Sequence, residues 1–193
     1  MSEEGSTDAV PDISDKRIEP MLTAEELQEC VEELGRTITE DFAGEKLHVI
    51  GVLNGSFVFL GDLVREIDVD MTVDFLGLSS YGDSTKSSGV VRMTQDLSMP
   101  IEGEDVLIVE DIVDTGLTMK YLLENLETRH PSSLSVCSLL VKPSNLEVDV
   151  PVDYKGFTVP DKFVIGYGLD YAQHYRNLPY IGVVTDEETL GES

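Results

Sequence analysis

Apolar residues fall into runs of two kinds along this chain, and the order of these runs predicts alternating strands and helices. Residues 106–109 are four consecutive apolar residues, which is typical of a strand buried on both faces of a parallel sheet. Met119, Leu122, Leu123 and Leu126 follow at helical spacing and predict an amphipathic helix. The central segment is therefore predicted to be a strand, an acidic turn, a loop and a helix.

The same order of strand, glycine turn and helix precedes this segment once. Residues 47–53 predict a strand, Asn54-Gly55-Ser56 interrupts it, and 57–65 predict a short helix. An earlier helix begins at the capping box of Thr23 and Glu26 and ends near Gly44. Four more strands are predicted, at 71–78, 90–95, 134–141 and 180–184, whereas residues 148–156 are predicted to be irregular.

Alternating strands and helices predict an α/β fold, a Rossmann-like parallel sheet flanked by helices on both faces. Ligands of such sheets bind beyond the carboxyl ends of the strands. Asn54-Gly55, residues 110–118 and Lys142 all follow predicted strands. We therefore expect these distant segments to share one edge of the sheet and to form one site.

The length of 193 residues predicts one domain, at residues 18–193, after a disordered acidic tail at 1–17. No apolar run approaches the roughly 18 residues of a membrane span. Residues 1–18 lack the apolar region of a secretory signal. Cys30 and Cys137 form neither a disulfide framework nor a metal-ligand pattern, which fits a reduced cytoplasm.

The net charge is −25, from 38 acidic against 13 basic residues. This balance opposes binding to nucleic acid, which requires a basic surface. Two interpretations of the charge remain open. One is a host that accumulates salt, in which an acidic surface is screened, and the other is an ordinary acidic enzyme.

Candidate chemistry concentrates after the strand at 106–109. Glu110 and Asp111 come at its end, Asp114 follows, and Thr115-Gly116-Leu117-Thr118 leads into the helix. A loop before a helix presents free N–H groups that suit a phosphate. Carboxylates beside such a loop indicate that Mg²⁺ or the hydroxyl groups of a sugar lie between them and the phosphate.

Residues 106–119 resemble the phosphoribosyl-pyrophosphate (PRPP) signature of the phosphoribosyltransferases. That signature is four apolar residues, two acids, two apolar residues and then Asp-Thr-Gly-x-Thr, and all fourteen positions match. Residues 52–57, 79–82, 139–142 and 160–171 resemble further segments of the hypoxanthine(-guanine) phosphoribosyltransferases. The resemblance covers about residues 47–184. It implies the type I phosphoribosyltransferase fold, with a core at about 45–145 and a small hood from about 18–44 and 155–190.

The resemblance also implies a role for each matching position. Asp114 is expected to be the general base. Positions expected to bind PRPP and its 5′-phosphate are Glu110, Asp111, Asp114, Thr115, Gly116, Leu117 and Thr118. Pyrophosphate is expected at Leu53, Asn54, Gly55 and Arg176, in a loop with a non-proline cis bond.

The purine is expected to contact Lys142 through its O6 atom, the ring of Phe163, the backbone of Val164, and Asp170. The carboxylates expected to bind Mg²⁺ are Glu110, Asp111 and Asp170. A mobile lid is expected at residues 79–89, with Ser80 and Tyr81 among its residues, and a plain surface loop is the alternative.

The implied activity is purine salvage: transfer of phosphoribosyl from PRPP to N9 of hypoxanthine, and also of guanine, to give IMP or GMP and pyrophosphate. The resemblance further implies a cytoplasmic homodimer or homotetramer. Asn54 and Leu117 stand where other members carry lysine, which is similar to a bacterial branch and leaves the ranking of the two purines open. A PRPP-sensing regulator that binds nucleic acid remains an alternative, as does a transferase for adenine, xanthine or orotate. The net charge opposes the regulator, and Lys142 disfavours adenine.

Overall fold

The computed structural model describes residues 16–80 and 91–186 of the chain. These residues form nine strands, three α-helices and a short 3-10 helix at Pro143–Asn145. The strands are β1 (Lys16–Leu22), β2 (Lys46–Leu53), β3 (Asp70–Ser80), β4 (Val91–Gln95), β5 (Asp105–Val113), β6 (Ser133–Val141), β7 (Tyr154–Thr158), β8 (Val164–Ile165) and β9 (Ile181–Asp186). The helices are α1 (Ala24–Asp41), α2 (Phe57–Glu66) and α3 (Leu117–Glu127).

Six strands form one sheet in the order β4-β3-β2-β5-β6-β7. Strands β3, β2, β5, β6 and β7 run parallel, and β4 pairs antiparallel with β3 at the edge. The predicted Rossmann-like parallel sheet is thus confirmed. Its central strand is β5, the strand that leads into the candidate site.

The four apolar residues of β5 point alternately to two cores. Leu107 and Val109 pack with the apolar faces of α1 and α2, and Val106 and Ile108 pack with the apolar face of α3. All four side chains are fully buried. Helices cover both faces of the sheet, which explains why the strand lacks polar alternation.

Helix α1 begins with the predicted capping box. The hydroxyl of Thr23 accepts from the backbone N–H of Glu26 at 3.2 Å, and Thr23 N–H donates to the Glu26 carboxylate at 2.8 Å. These bonds satisfy two N–H groups that a helix start leaves free. Among the described residues, no helix is both long and apolar enough to cross a membrane.

A second, three-stranded antiparallel sheet has the order β1-β9-β8. We call this sheet the hood, after the small hood that the resemblance implied, and the implied bounds of that hood stay a prediction. Helix α1 packs against α2 and β7, and β7 belongs to the edge of the large sheet. Strand β1 also takes up two residues, Lys16 and Arg17, of the predicted disordered tail, whose remaining residues lie outside the described part of the chain.

Two local predictions were wrong. Glu110 and Asp111 lie inside β5 rather than in a turn, because β6 continues beside them to Val141 and extends the ladder. The segment predicted to be irregular ends in β7, a short edge strand that pairs with β6 alone. Its five residues contain no apolar run that could have revealed it.

Candidate active site

The carboxyl ends of β2, β5 and β6 bring the predicted residues to one edge of the sheet. A cavity of about 310 Å³ lies there between the large sheet and the hood. The cavity is lined by the predicted general base, by residues predicted to bind pyrophosphate, purine or Mg²⁺, and by two apolar residues that were not predicted. The lining residues are Asn54, Gly55, Asp111, Ile112, Asp114, Lys142, Phe163, Val164, Leu169, Asp170 and Arg176. The sheet topology therefore unites residues that are far apart in sequence, as predicted.

A second cavity of about 210 Å³ is formed by the loop before α3. Asp114 borders both cavities. The other lining residues are Glu110, Ile112, Val113, Thr115, Gly116, Thr118 and Met119. Gly116 has a φ of +81°, and a Cβ there would lie 2.8 Å from the carbonyl oxygen of Val148. The loop can therefore fold closely only with glycine at this position.

Leu117 is the first residue of α3 and does not line this cavity. Its backbone N–H donates to the hydroxyl of Thr115 at 3.4 Å. The loop is tied down from outside by the backbone N–H of Glu147, which donates to the Thr115 carbonyl at 3.0 Å. Position 117 can thus contribute to an anion site through its backbone, and its side chain faces away from the lining.

The turn after β2 packs directly against β5. Its Leu53–Asn54 peptide bond is cis, as the resemblance implied. A Cβ added to Gly55 would overlap the carboxylate of Asp111, and one added to Gly168 would overlap the carbonyl oxygen of Gly55. Glycines therefore allow three backbone segments to converge at the floor of the larger cavity.

Glu110 and Asp111 form an acidic pair, in which Asp111 is buried and Glu110 is half-buried. Burial raises the pKa of Glu110, and the charge of Asp111 raises it further. Burial also raises the pKa of Asp111, although hydrogen bonds from Glu110 and from the Ile112 N–H oppose that shift. Glu110 Oε2 is buried without a hydrogen-bond partner among the described residues. An acceptor atom without a partner is suited to a hydroxyl group or a cation.

The carboxylates predicted to bind Mg²⁺ divide between the two cavities. Asp111 and Asp170 line the larger one, and Glu110 lines the smaller one. Within residues 16–80 and 91–186, no three acidic, histidine or cysteine side chains are grouped as a metal site. Mg²⁺ usually binds through one or two carboxylates together with substrate phosphates and water. Asp111 and Asp170 fit that chemistry.

Lys142 is buried, with 6% of its surface exposed, and its charge is balanced by two acids. Its Nζ donates to Asp114 Oδ2 at 2.9 Å and lies 3.7 Å from Asp161 Oδ1. The amide of Asn145 donates to both of the same carboxylates. Asn145 and Asp161 were not predicted as site residues. The sequence marked them only by position: Asn145 lies three residues after Lys142, and Asp161 lies two residues before Phe163.

Phe163 and Val164 sit at the opening of the larger cavity and differ in exposure. The ring of Phe163 is 52% exposed and makes a T-shaped contact with Tyr171, with ring centroids 5.4 Å apart at 89°. Val164 is buried and pairs with Val183 of β9. A planar base can stack on an aromatic ring that is half exposed.

Arg176 is held by three groups of its own segment. Its guanidinium donates to the Gly168 carbonyl at 2.8 Å and to Gln173 Oε1 at 2.8 Å, and it pairs with Asp170 at 2.9 Å. The backbone N–H of Gln173 donates to the same aspartate at 2.7 Å. Gln173 was not predicted, since no motif marks a residue that acts through its neighbour.

The predicted lid is described only at its first two residues, 79 and 80. Ser80 is the last residue of β3, and Tyr81 lies outside the described residues. The lid therefore stays a prediction.

Comparisons with known proteins match almost the whole described chain. The family model for the phosphoribosyl transferase domain matches residues 21–172. A hypoxanthine-guanine phosphoribosyltransferase of Dictyostelium discoideum is 51% identical over 173 residues, which cover 88% of this chain and 96% of that protein. A hypoxanthine phosphoribosyltransferase of Salmonella typhimurium is 49% identical over 169 residues, covering 86% of this chain and 95% of that protein.

A solved structure has the same fold. The crystal structure of a hypoxanthine-guanine phosphoribosyltransferase from Bacillus anthracis superimposes with a TM-score of 0.84 at 45% identity. The match covers 88% of this chain and all of the other. The fold and the sequence thus agree on the same group of proteins.

Proposed function

Since this chain belongs to the phosphoribosyltransferase family, we propose that it is the purine-salvage enzyme that transfers phosphoribosyl from PRPP to hypoxanthine and to guanine. The single observation that carries the proposal is the contact between Lys142, which is buried, and Asp114, which is partly exposed, in the lining of one cavity. A cation suited to a 6-oxo group and a carboxylate suited to the N7 proton lie side by side there. They would face two neighbouring atoms of one purine.

PRPP would lie across both cavities. The smaller one offers hydroxyl and backbone N–H groups of residues 114–118 to the 5′-phosphate. Glu110 borders that cavity and would meet the ribose hydroxyl groups. The pyrophosphate would bind the backbone of residues 53–55 and the guanidinium of Arg176. Of these, Asn54, Gly55 and Arg176 line the larger cavity, and Leu53 does not.

The purine would stack on the exposed face of Phe163, with the backbone of Val164 along its edge. Lys142 would donate to O6, which selects hypoxanthine and guanine over adenine, since adenine presents an amino group there. Because the ammonium group is buried, losing its pairing costs more than it would at the surface. The same geometry disfavours any purine that has no hydrogen-bond acceptor on C6.

In the reaction, N9 of the purine bonds to C1 of the ribose while the bond from C1 to the pyrophosphate oxygen breaks. The bonding electrons leave with pyrophosphate, whose charge Arg176 stabilises. Asp114 accepts the proton from N7, so that the purine product is neutral. Asp111 and Asp170 would hold Mg²⁺, which when bound supplies charge neutralisation on the pyrophosphate. The lid from Ser80 and Tyr81 would exclude water from the activated sugar.

The test is an assay with PRPP and each base in turn. We expect nucleotide formation with hypoxanthine and guanine, and formation of AMP or orotidylate instead would overturn the proposal. Asp114→Asn should lower kcat by about 10²- to 10⁴-fold, the usual contribution of general base catalysis, with the KM for PRPP largely retained. An unchanged kcat would remove Asp114 from the role of base. Gel filtration tests the proposed homodimer or homotetramer, and the cytoplasmic location stays part of the proposal.

A further inference from the structure

Both carboxylate oxygens of Asp114 are engaged. Oδ2 accepts from Lys142 Nζ at 2.9 Å, and Oδ1 accepts from Asn145 Nδ2 at 2.9 Å. Each oxygen of this carboxylate thus faces a donor of the protein. A proton from the purine can meet Oδ2 in line only after Lys142 Nζ has moved away from it.

Of the two donors, Lys142 is the one that can exchange its hydrogen bond to Asp114 for a bond to another acceptor. In the proposed function it donates to purine O6, and its long side chain can turn while its stem stays buried. Its departure frees Oδ2, the oxygen that it had covered. Among the hydrogen bonds that the described residues make to the Asp114 side chain, the one from Asn145 then remains.

The amide of Asn145 is fixed by its partners. Its two N–H bonds go to Asp114 Oδ1 at 2.9 Å and to Asp161 Oδ1 at 2.7 Å. Both partners are carboxylates that accept and do not donate, so the orientation of the amide is determined. Asp161 thus anchors the side chain that holds Asp114.

The backbone around Asn145 is braced against the loop that carries Asp114. Asn145 N–H donates to the Lys142 carbonyl at 3.0 Å and closes the 3-10 turn. Lys142 N–H donates to the Val113 carbonyl at 3.0 Å, and Glu147 N–H donates to the Thr115 carbonyl at 3.0 Å. The turn is therefore bonded to the residues on both sides of Asp114, which fixes the distance between the amide and the carboxylate.

We infer that Asn145 is a positioning residue: it holds Asp114 Oδ1 so that Oδ2 faces N7 of the purine after Lys142 has turned to O6. This inference rests on the proposed function. It assigns the two oxygens different tasks, Oδ1 for orientation and Oδ2 for the proton. Asp161 serves as the anchor for the second N–H bond of the amide.

The first test replaces the amide. Asn145→Ala should lower the single-turnover rate of nucleotide formation by about 10- to 100-fold, the effect expected from losing one hydrogen bond to a charged group. The KM for PRPP should stay within about twofold, because the Asn145 side chain donates to Asp114 and Asp161 and not to residues 115–118 or Arg176. Ser144→Ala is the matched control, since its exposed hydroxyl donates only weakly to Asn145, at 3.4 Å. A rate that falls equally in this control would overturn the inference.

A double mutant separates positioning from a merely structural role. In an Asp114→Asn background, Asn145→Ala should change the rate by no more than about twofold, because there is no base left to position. A further tenfold loss would refute the inference. If Asp114→Asn alone leaves the rate unchanged, the base assignment fails, and the inference fails with it. If Asp114→Asn is slow and Asn145→Ala is as fast as the unaltered enzyme, this inference alone fails.

A second variant covers the case in which Asn145→Ala does not fold. Asp161→Ala removes an exposed carboxylate, which should leave folding intact, and frees the second N–H bond of the amide. We expect a loss of about 3- to 10-fold in the single-turnover rate, smaller because the bond is solvated. No loss in this variant would contradict the anchoring role of Asp161.

Discussion

Two carboxylates flank the ammonium group of Lys142 in its buried position. Asp114 Oδ2 lies 2.9 Å from Nζ and Asp161 Oδ1 lies 3.7 Å from it. Burial of a charge without such partners would cost several kcal/mol. The pairing would also keep a strong donor close to the position that we propose for the purine.

Replacement of this lysine should separate the recognition of the two substrates. Lys142→Met keeps most of the side-chain volume and removes the charge. We expect the KM for hypoxanthine to rise about 10- to 100-fold, the cost of one charged hydrogen bond, with the KM for PRPP changed less than about threefold. Lys162→Met, an exposed lysine of the same region, is the control. An equal rise for both substrates would refute the contact with O6.

His48 couples the stability of the sheet to pH. It is 2% exposed, its Nδ1 lies 2.8 Å from the hydroxyl of Thr72, and its Nε2 has no partner among the described residues. Burial lowers its pKa, although the charges of Asp74 and Glu104 oppose the shift. The unfolded chain therefore takes up a proton near pH 6.5 while the folded chain resists it.

This histidine should thus stabilise the fold above pH 6.5 and lose that contribution as the pH falls towards its lowered folded pKa. His48→Asn keeps a polar atom for Thr72 but does not titrate. Urea unfolding between pH 5 and 8 should show a flatter pH dependence of the free energy of unfolding than in the unaltered chain. His130→Asn, at an exposed position, should leave the slope unchanged. An unchanged slope in His48→Asn would contradict the prediction.

At the level of elements, the site depends on how closely the turn after β2 approaches β5. Gly55 lies so near Asp111 that a single added methyl group would overlap the carboxylate. The turn and the acid are both proposed to face pyrophosphate. A small displacement of either would therefore move groups on both sides of the leaving group.

Gly55→Ala should consequently lower kcat/KM for PRPP by on the order of 100-fold, the effect of a displacement of about 1 Å in a catalytic site. Gly61→Ala is the matched control, because nothing lies within 4 Å of a Cβ at that position in α2. The control should keep full activity and raise the Tm by about 1–4 °C, since alanine loses less conformational entropy than glycine in a helix. Full activity in Gly55→Ala would show that the turn and β5 can separate freely.

Apolar runs predicted the large elements well, because long buried strands and amphipathic helices carry strong periodic signals. Strands β1 and β7 escaped prediction, since each lies at the edge of its sheet and has a mixed composition without an apolar run. The fourteen-residue signature predicts a phosphate loop at residues that the structure places before α3, and the binding role stays a prediction. Asn145 could not be predicted, because its proposed role exists only through Asp114, a partner 31 residues away.

At the level of the whole molecule, the net charge of −25 has few cations to offset it. Helix α1 shows the imbalance: acidic residues are frequent along its exposed side, and its last turn contains no basic residue. Repulsion among such carboxylates destabilises the compact state. Added salt shortens the range of this repulsion, to about 3 Å at molar concentration.

We therefore expect the Tm to rise by about 5–10 °C from dilute buffer to molar KCl, a gain of a few kcal/mol for a chain of this size. The double variant Glu29→Gln, Glu33→Gln removes two exposed charges one helical turn apart and should gain less from salt. Differential scanning calorimetry measures both. A Tm that is constant across the salt series would favour the ordinary acidic enzyme over a host that accumulates salt.

The pairing of β1 with β9 sets an order of assembly during synthesis on the ribosome. β1 is the first described strand to emerge and β9 is the last, yet the two are neighbours in the hood. The loop proposed to bind the 5′-phosphate needs strands that are complete by residue 141 and the contacts of residues 147 and 148, whereas Phe163 and Val164 depend on β8 and β9. Domains begin to fold while translation continues. The nascent protein would therefore acquire its place for the sugar phosphate first, and a chain that ends near residue 160 would lack Phe163 and Val164, two of the residues proposed to contact the base.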